Sequence, residues 1–147
     1  MRHRRKLVRL NRDTKHRKAL FRNQLRQLVI YGSITTTGAK AKQLKRLMDK
    51  VLYRAKTATP ASRRRLHRIF GDRRVVNVLV DELAPLYPKR NSGFTTLSTV
   101  GTRRGDGALM VKLAFIKQRE NQGKLTLPQK PKKSKSTQVK TKKDKQS

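Results

Sequence analysis

Phosphate binding is the one chemistry that this chain concentrates in a single stretch. Met1 to Arg26 holds eleven Lys or Arg and a single acid, Asp13. Arg2, His3, Arg4, Arg5, Lys6, Arg9, Asn11 and Arg12, followed by Lys15, His16, Arg17, Arg22, Asn23 and Arg26, supply guanidinium, ammonium, imidazole and amide donors. Guanidinium groups hold phosphate oxygens as a fork and ammonium groups hold them as point charges. Residues 2–12 contain only three scattered apolar side chains, Leu7, Val8 and Leu10. Three are too few to offset the entropy of ordering the arm, so an external partner must order it. The charge points to a polyanion, and nucleic acid is the abundant polyanion with grooves for an extended arm.

Other chemistries lack a seat. His3, His16 and His67 lie far apart among Arg and Lys, with no carboxylate at ligand spacing, so no metal is expected. Cysteine is absent, which excludes disulfides, thiolate metal sites and thiol nucleophiles. Asp81 and Glu82 are adjacent on a helical pattern and diverge, so they do not form an acid–base pair. Gly101, Gly105 and Gly107 sit in a turn and open no helix, unlike a phosphate-cradling loop. The expectation is a protein with no enzymatic activity, no cofactor and no small-molecule substrate.

The elements that position the donors follow from periodicity and punctuation. At 147 residues and 34% apolar content the chain can build one modest core. Asp13 or Thr14 caps a helix whose Phe21, Leu25, Leu28 and Val29 form a narrow apolar stripe, with Arg22, Asn23 and Arg26 opposite; Gly32 ends it. Ser33 to Thr37 reads as a short strand or an extended linker. Ala39 to Lys56 is the clearest helix. Ala41, Leu44, Leu47, Met48, Val51, Leu52 and Ala55 make its stripe, and Lys42, Lys45, Arg46 and Lys50 fall outside it. A solvated face explains those cations one by one, but ordinary solvated faces mix signs and this one has Asp49 alone.

Thr59 and Pro60 start a third helix carrying Arg63, Arg64 and Arg65, with Leu66, Ile69 and Phe70 inward and Gly71 at its end. Asp72 caps a fourth, through Val75, Val76, Leu79, Val80 and Leu83, with Asp81 and Glu82 outward and Pro85 and Pro88 stopping it. Val75 to Val80 taken alone fits a buried strand equally well. Phe94 to Thr102 and Ala108 to Ile116 read as a hairpin, with Leu109, Val111, Leu113 and Phe115 on a core face. Its tip carries Arg103 and Arg104, which serve either as ligand contacts or as part of a polar turn.

From Lys117 the composition changes to Lys, Ser, Thr, Gln and Pro with eleven Lys or Arg, which predicts a disordered tail. The domain reading is a basic arm over 1–12, one domain over 13–117 and a lysine-rich tail over 118–147. Forty basic residues against eight acids give +32, and without the tail 29 basic and six acidic residues remain. The binding argument therefore does not depend on the tail. The Arg-rich start superficially resembles a mitochondrial presequence, but it runs into a structural helix without a small-residue cleavage site. The longest apolar run, Ala108 to Ile116, has nine residues and contains Lys112, far from the ~20 needed to span a bilayer, and no membrane partner is expected.

Few aromatics and long irregular extensions favour structured RNA over a single-strand stacking surface, and no paired recognition helix suggests a symmetric DNA-binding dimer. A nucleoid-type DNA-binding protein and a basic membrane-surface protein are the rival classes.

The order of motifs resembles the bacterial large-subunit ribosomal protein seventeen family. It runs Met1, Arg2, His3, Arg4; Leu10, Asn11, Arg12; His16, Arg17; Phe21, Arg22, Asn23; then Ile34, Thr36 and Thr37, Ala41, Lys42, Leu44 and Arg46, Ala55 to Thr57, Arg63 to Arg65, Asp81 to Leu83 with Pro85, and Arg104, Gly105, Asp106, Ala108 and Met110. The resemblance covers residues 1 to about 117. Phe94, Thr95, Thr96 and Ala114 depart from the family pattern at the hairpin.

The resemblance implies an α+β protein of two layers, with about four helices on a small mixed three-stranded sheet. It further implies a cytoplasmic ribosomal protein that binds large-subunit (23S-type) ribosomal RNA near the outer end of the peptide exit tunnel, beside neighbouring large-subunit proteins, without specific self-association. The contacts then fall on the arm, the first helix, Lys42, Arg46, Arg63, Arg64, Arg103 and Arg104.

Overall fold

Asp13 starts the first helix: its carboxylate accepts the Lys15 backbone N–H at 3.1 Å, and α1 runs over Thr14–Tyr31. Those backbone donors, from Thr14 and Lys15, also hold the Asp13 carboxyl below the usual carboxylate range. Leu25, Leu28 and Val29 are buried, and Phe21 packs half-buried beside them. Gly32 closes the helix at φ 74, donating its N–H to the Leu28 carbonyl at 2.9 Å, a left-handed cap that suits a residue without Cβ. The computed structural model describes residues 8–119 and residue 123. Residues 1–7 of the arm and the rest of the tail lie outside that range.

A strand, β1 (Ser33–Thr37), leads directly into α2 (Gly38–Lys56), one residue earlier than the periodicity predicts. The apolar stripe read from the sequence is buried except for Leu47, which is half-buried. Asp49, the lone acid of this helix, is structural: it accepts the Phe94 backbone N–H at 3.2 Å and fixes the chain as it enters the sheet. Lys56 at the far end donates to the carbonyls of Pro88 at 3.0 Å and Arg90 at 2.6 Å, gathering the loop before that entry.

Thr59 caps α3 (Pro60–Phe70) by accepting the Ser62 N–H at 3.2 Å, and Asp72 caps α4 (Arg73–Asn77) through the Arg74 N–H at 2.8 Å. The helical reading of Val75 to Val80 holds over the strand alternative. Past Asn77 the helix widens to a π turn over Val78–Leu83 and tightens to a 3₁₀ turn over Ala84–Leu86. Pro85 thus lies inside the helical run rather than before its end. It has no N–H for the helical ladder, and its ring crowds the carbonyl four residues back, so the changed turn accommodates it where an α-turn would not.

The sheet is antiparallel throughout, a correction to the mixed sheet expected from the resemblance. Its strand order is β1, then β3 (Leu109–Phe115), then β2 (Thr95–Thr102). β3 is the return arm of the hairpin and slots between β2 and β1, running opposite to both: Leu113 sits across from Ile34 on one side and Leu97 on the other. The register slips between Thr99 and Gly101, leaving Val100 as a bulge. Val111, Leu113 and Phe115 face the helices as expected, whereas Leu109, placed on the same face by alternation, is 50% exposed at the hairpin mouth. Alternation continues there, but only the first turn of α2, at Gly38, lies beside Leu109, so half of it stays exposed.

The layer of helices lies on one face of the sheet, and α2 is its centre, packed against all three strands, α1, α3 and the π and 3₁₀ turns after α4. Leu44, Met48 and Leu52 from α2 meet Leu28 and Val29, Leu66 and Phe70, Leu79 and Leu83, and Leu113 in one core. Truncating a fully buried member such as Leu44 to Ala would cost about 2–5 kcal/mol.

The segment that follows β3 is clasped back onto this body. Tyr87 Oη donates to the Lys117 carbonyl at 2.7 Å and accepts its N–H at 2.8 Å, while its ring meets Phe94 edge-on at 5.3 Å. Burial pushes the Tyr87 phenol up from its ordinary value. Arg119 follows, buried, bonding the Glu82 carboxylate at 2.7 Å and the Ile30 carbonyl at 2.8 Å. Gly123 donates its N–H to the same carbonyl at 2.8 Å. Packed contacts therefore continue past residue 117, the domain boundary read from composition, because polar side chains can be held by specific partners that composition does not reveal. Glu82, read as facing outward, turns to this clasp.

Candidate nucleic-acid interface

Arg2, His3, Arg4, Arg5 and Lys6 lie outside the described residues. The described end of the arm is a tight turn. Leu10 and Asn11 both take left-handed backbone, φ 55 and 51, and the Arg12 N–H returns to the Arg9 carbonyl at 3.2 Å. Asn tolerates that conformation better than most residues, so Asn11 has a backbone role beside any polar contact. Arg12 is half-buried and donates Nη1 to the Leu10 carbonyl at 3.1 Å; Arg17 Nη1 reaches the Arg12 carbonyl at 3.2 Å. These two guanidiniums brace the joint between arm and helix.

Beyond the joint, α1 presents Lys15, His16, Arg22 and Asn23 to solvent. Arg26 differs although it shares the helix. Its guanidinium donates through Nε to the Phe70 carbonyl at 2.8 Å and through Nη2 to the same oxygen. It thereby ties α1 to the end of α3, where Gly71 turns the chain at φ 70. The left-handed turn favours glycine, and a Cβ on Gly71 would stand 3.2 Å from Arg26 Nη2, close enough that the guanidinium would have to shift slightly.

On α2, Lys42 and Arg46 are exposed as predicted. Arg63 on α3 is engaged instead: Nη2 meets Asp81 Oδ1 at 2.6 Å and Nη1 lies 3.3 Å from Asn77 Oδ1. Arg64 beside it is exposed with no hydrogen-bond or ion-pair partner among the described residues. At the hairpin tip, Arg103 pairs with Asp106 at 2.5 Å, and Asp106 also accepts the Ala108 N–H at 3.2 Å. The Arg103 contact and that N–H hold the Asp106 carboxyl down to about 2, and the carboxylate raises the guanidinium in return. Arg103 thus shapes the turn, and Arg104 is exposed without such a partner among the described residues.

Four further cations stand with this set: Lys18 on α1, Lys50 and Arg54 on α2 and Arg68 on α3, all exposed. Their sequence signal is like charge at four-residue spacing, Lys18 with Arg22, Lys50 with Arg54 and Arg64 with Arg68. Each such pair costs a helix about 0.2–0.5 kcal/mol, and repetition of that cost on three helices marks cations kept for a purpose outside the helix.

The carboxylates do not balance them. Among the described residues Asp13 and Asp72 cap helices, Asp49 holds the Phe94 N–H, Asp81 holds Arg63, Glu82 holds Arg119 and Asp106 holds Arg103. Every described acid is committed, and the exposed cations of α1 and α2 face solvent uncompensated. Among the described residues no cluster of His, Asp or Glu could hold a metal ion, and no helix is long and apolar enough to cross a membrane.

Comparison with known proteins bears on the same region. The profile of the family described as ribosomal protein L17 matches residues 20–116. A protein of Thermotoga sp. (strain RQ2) named large ribosomal subunit protein bL17 is 43% identical over 131 residues, covering 84% of this chain and 100% of the relative. A protein of the same name from Coprothermobacter proteolyticus is 44% identical over 108 residues, covering 74% of this chain and 92% of the relative. Another, from Anaeromyxobacter sp. (strain K), is 43% identical over 116 residues, covering 79% and 73%.

Proposed function

Because the chain belongs to the ribosomal protein L17 family, and is thus a structural component of the large ribosomal subunit, we propose that it binds large-subunit (23S-type) ribosomal RNA through its arm and α1. One observation carries this reading. Every described carboxylate is committed within the fold, while Lys15, His16, Arg22 and Asn23 on α1 and Lys42 and Arg46 on α2 remain exposed. A face so uncompensated repels its own kind and is neutralised by a polyanion. Arg64 and Arg104 extend the cationic surface to α3 and the hairpin tip, whereas Arg12, Arg17, Arg26, Arg63 and Arg103 support the fold around it. The arm residues Arg2 to Lys6 and Arg9 enter RNA grooves ahead of α1.

On the ribosome the protein sits near the outer end of the peptide exit tunnel, against neighbouring large-subunit proteins, in the cytoplasm; its role is architectural rather than catalytic. The test is sedimentation together with competition. The native protein is expected to travel with large subunits in high-magnesium, moderate-salt buffer, and ribosomal RNA is expected to outcompete duplex DNA at matched salt. Release from the subunits, or parity between the two nucleic acids, refutes the reading.

A further inference from the structure

Three helices meet around a groove of about 480 Å³ whose rim is cationic and whose floor is apolar. Arg17, Lys18 and Arg22 of α1, Lys50 and Arg54 of α2 and Arg68 of α3 form the rim, and among the described residues no carboxylate lines it. All but Arg17 are exposed and have no side-chain hydrogen-bond or ion-pair partner among the described residues. Phe21, Leu47 and Ile69 make the floor, each packed against the core on one side and half-exposed on the other. The volume lies within the roughly 300–1,000 Å³ of small-ligand sites.

A surface that only neutralises phosphate needs cations and no floor. An apolar floor beneath six cations matches a ligand that is flat and apolar at one end and anionic at the other. An unpaired nucleotide has that division: a base with a π-face, and phosphates on either side of its sugar. Proteins that take single-stranded RNA combine these two elements, cations along the backbone and an aromatic ring under the base. The three helices also hold the rim rigidly, since Arg26 ties α1 to α3 and Ser62 Oγ ties α3 to the Arg54 carbonyl of α2.

We propose that this groove receives one unpaired nucleotide of RNA, with its base on Phe21, Leu47 and Ile69 and its flanking phosphates on Arg22, Lys50, Arg54 and Arg68. One aromatic ring limits the site to one base. The proposal rests on the RNA-binding reading above and adds a base contact to it, on residues distinct from the arm.

The test uses the full-length chain and fluorescence anisotropy at fixed salt. The probes are a single-stranded RNA oligonucleotide, an abasic strand of the same length and charge, and a poly-glutamate peptide of equal charge. The RNA is expected to bind about tenfold more tightly than the abasic strand, in line with the loss of one base–aromatic stack, and poly-glutamate to bind no better than the abasic strand. Phe21→Leu, which keeps the apolar packing, is expected to bring RNA and abasic binding close to parity while leaving the abasic affinity unchanged. Arg22→Gln combined with Lys50→Gln is expected to weaken both strands together.

Ultraviolet cross-linking is expected to place an RNA adduct on Phe21. Equal binding of RNA and abasic strand by the unaltered chain overturns the proposal, as do an unchanged preference in Phe21→Leu and poly-glutamate binding as tight as RNA. In those cases tight binding of ribosomal RNA leaves the broader reading standing, whereas failure to bind any RNA sinks both.

Discussion

Asp81 and Glu82 are neighbours with the same charge, and the fold predicts that losing them has unequal consequences. Asp81 pairs with Arg63 where the two side chains are 52% and 37% exposed. Glu82 pairs with Arg119, whose side chain is 3% exposed, and is itself 30% exposed. An exposed pair of this kind contributes about 0–1 kcal/mol, because water and salt screen it. Removing one partner of a buried pair costs about 3–5 kcal/mol, because the other charge is stranded. Glu82 is partly wet and Arg119 keeps the Ile30 carbonyl, so the expected loss for Glu82→Ala is about 2 kcal/mol, below that range.

For Asp81→Ala the expectation is under about 1 kcal/mol. Each substitution removes one acid from a strongly cationic chain, so the added self-repulsion is common to both and cancels in the difference. The assay is urea unfolding of the full-length protein at low and at high salt, comparing midpoints at unchanged slope. High salt should erase most of the Asp81→Ala effect and leave most of the Glu82→Ala effect. Equal losses at both salt concentrations would refute the assignment of Arg119 as a buried cation anchored by Glu82.

Gly71→Ala meets a left-handed φ and the Arg26 guanidinium together, and is expected to lower stability by about 1–2 kcal/mol in the same unfolding assay. Tyr87→Phe removes a donor and an acceptor from the Lys117 backbone, for an expected loss of about 1–3 kcal/mol and faster amide exchange at Lys117. At the hairpin tip the Asp106 carboxyl titrates near 2 in the folded state, below its ordinary 3.8. The ordering it gives the turn is therefore complete above about 4 and lost as pH falls towards 2, which carboxylate NMR shifts should follow and Asp106→Asn should abolish. Deleting residues 1–12 is expected to weaken ribosomal RNA binding more than deleting 128–147, and equal losses in a filter-binding titration would reduce the arm to generic charge.

Much of the architecture is local in origin and is legible on that account. Asp13, Thr59 and Asp72 cap helices where they stand, Gly32 and Gly71 end them, and the stripe of α2 is buried nearly as its 3.6-residue spacing predicts. These features depend on neighbours within one helical turn, which a sequence displays directly. The excess of Lys and Arg over Asp and Glu is likewise a sum over the chain, independent of folding, and by itself it points to a polyanion.

Which cation remains available depends on distant partners. Arg22 and Arg26 lie one turn apart on α1, yet Arg26 finds the Phe70 carbonyl 44 residues away while Arg22 stays exposed. Arg63 and Arg64 divide in the same manner through Asp81. The fully antiparallel sheet depends on β3 entering between β2 and β1, a long-range pairing that no local pattern encodes. The groove over Phe21 exists only because α1, α2 and α3 converge, so the sequence shows the repeated like charge of Lys50, Arg54 and Arg68 but not the site they share. Composition and short-range periodicity determined a helical, basic body suited to a polyanion; the packing of those helices decided which donors brace the fold and which are left for a ligand, because burial and pairing are set by residues far apart along the chain.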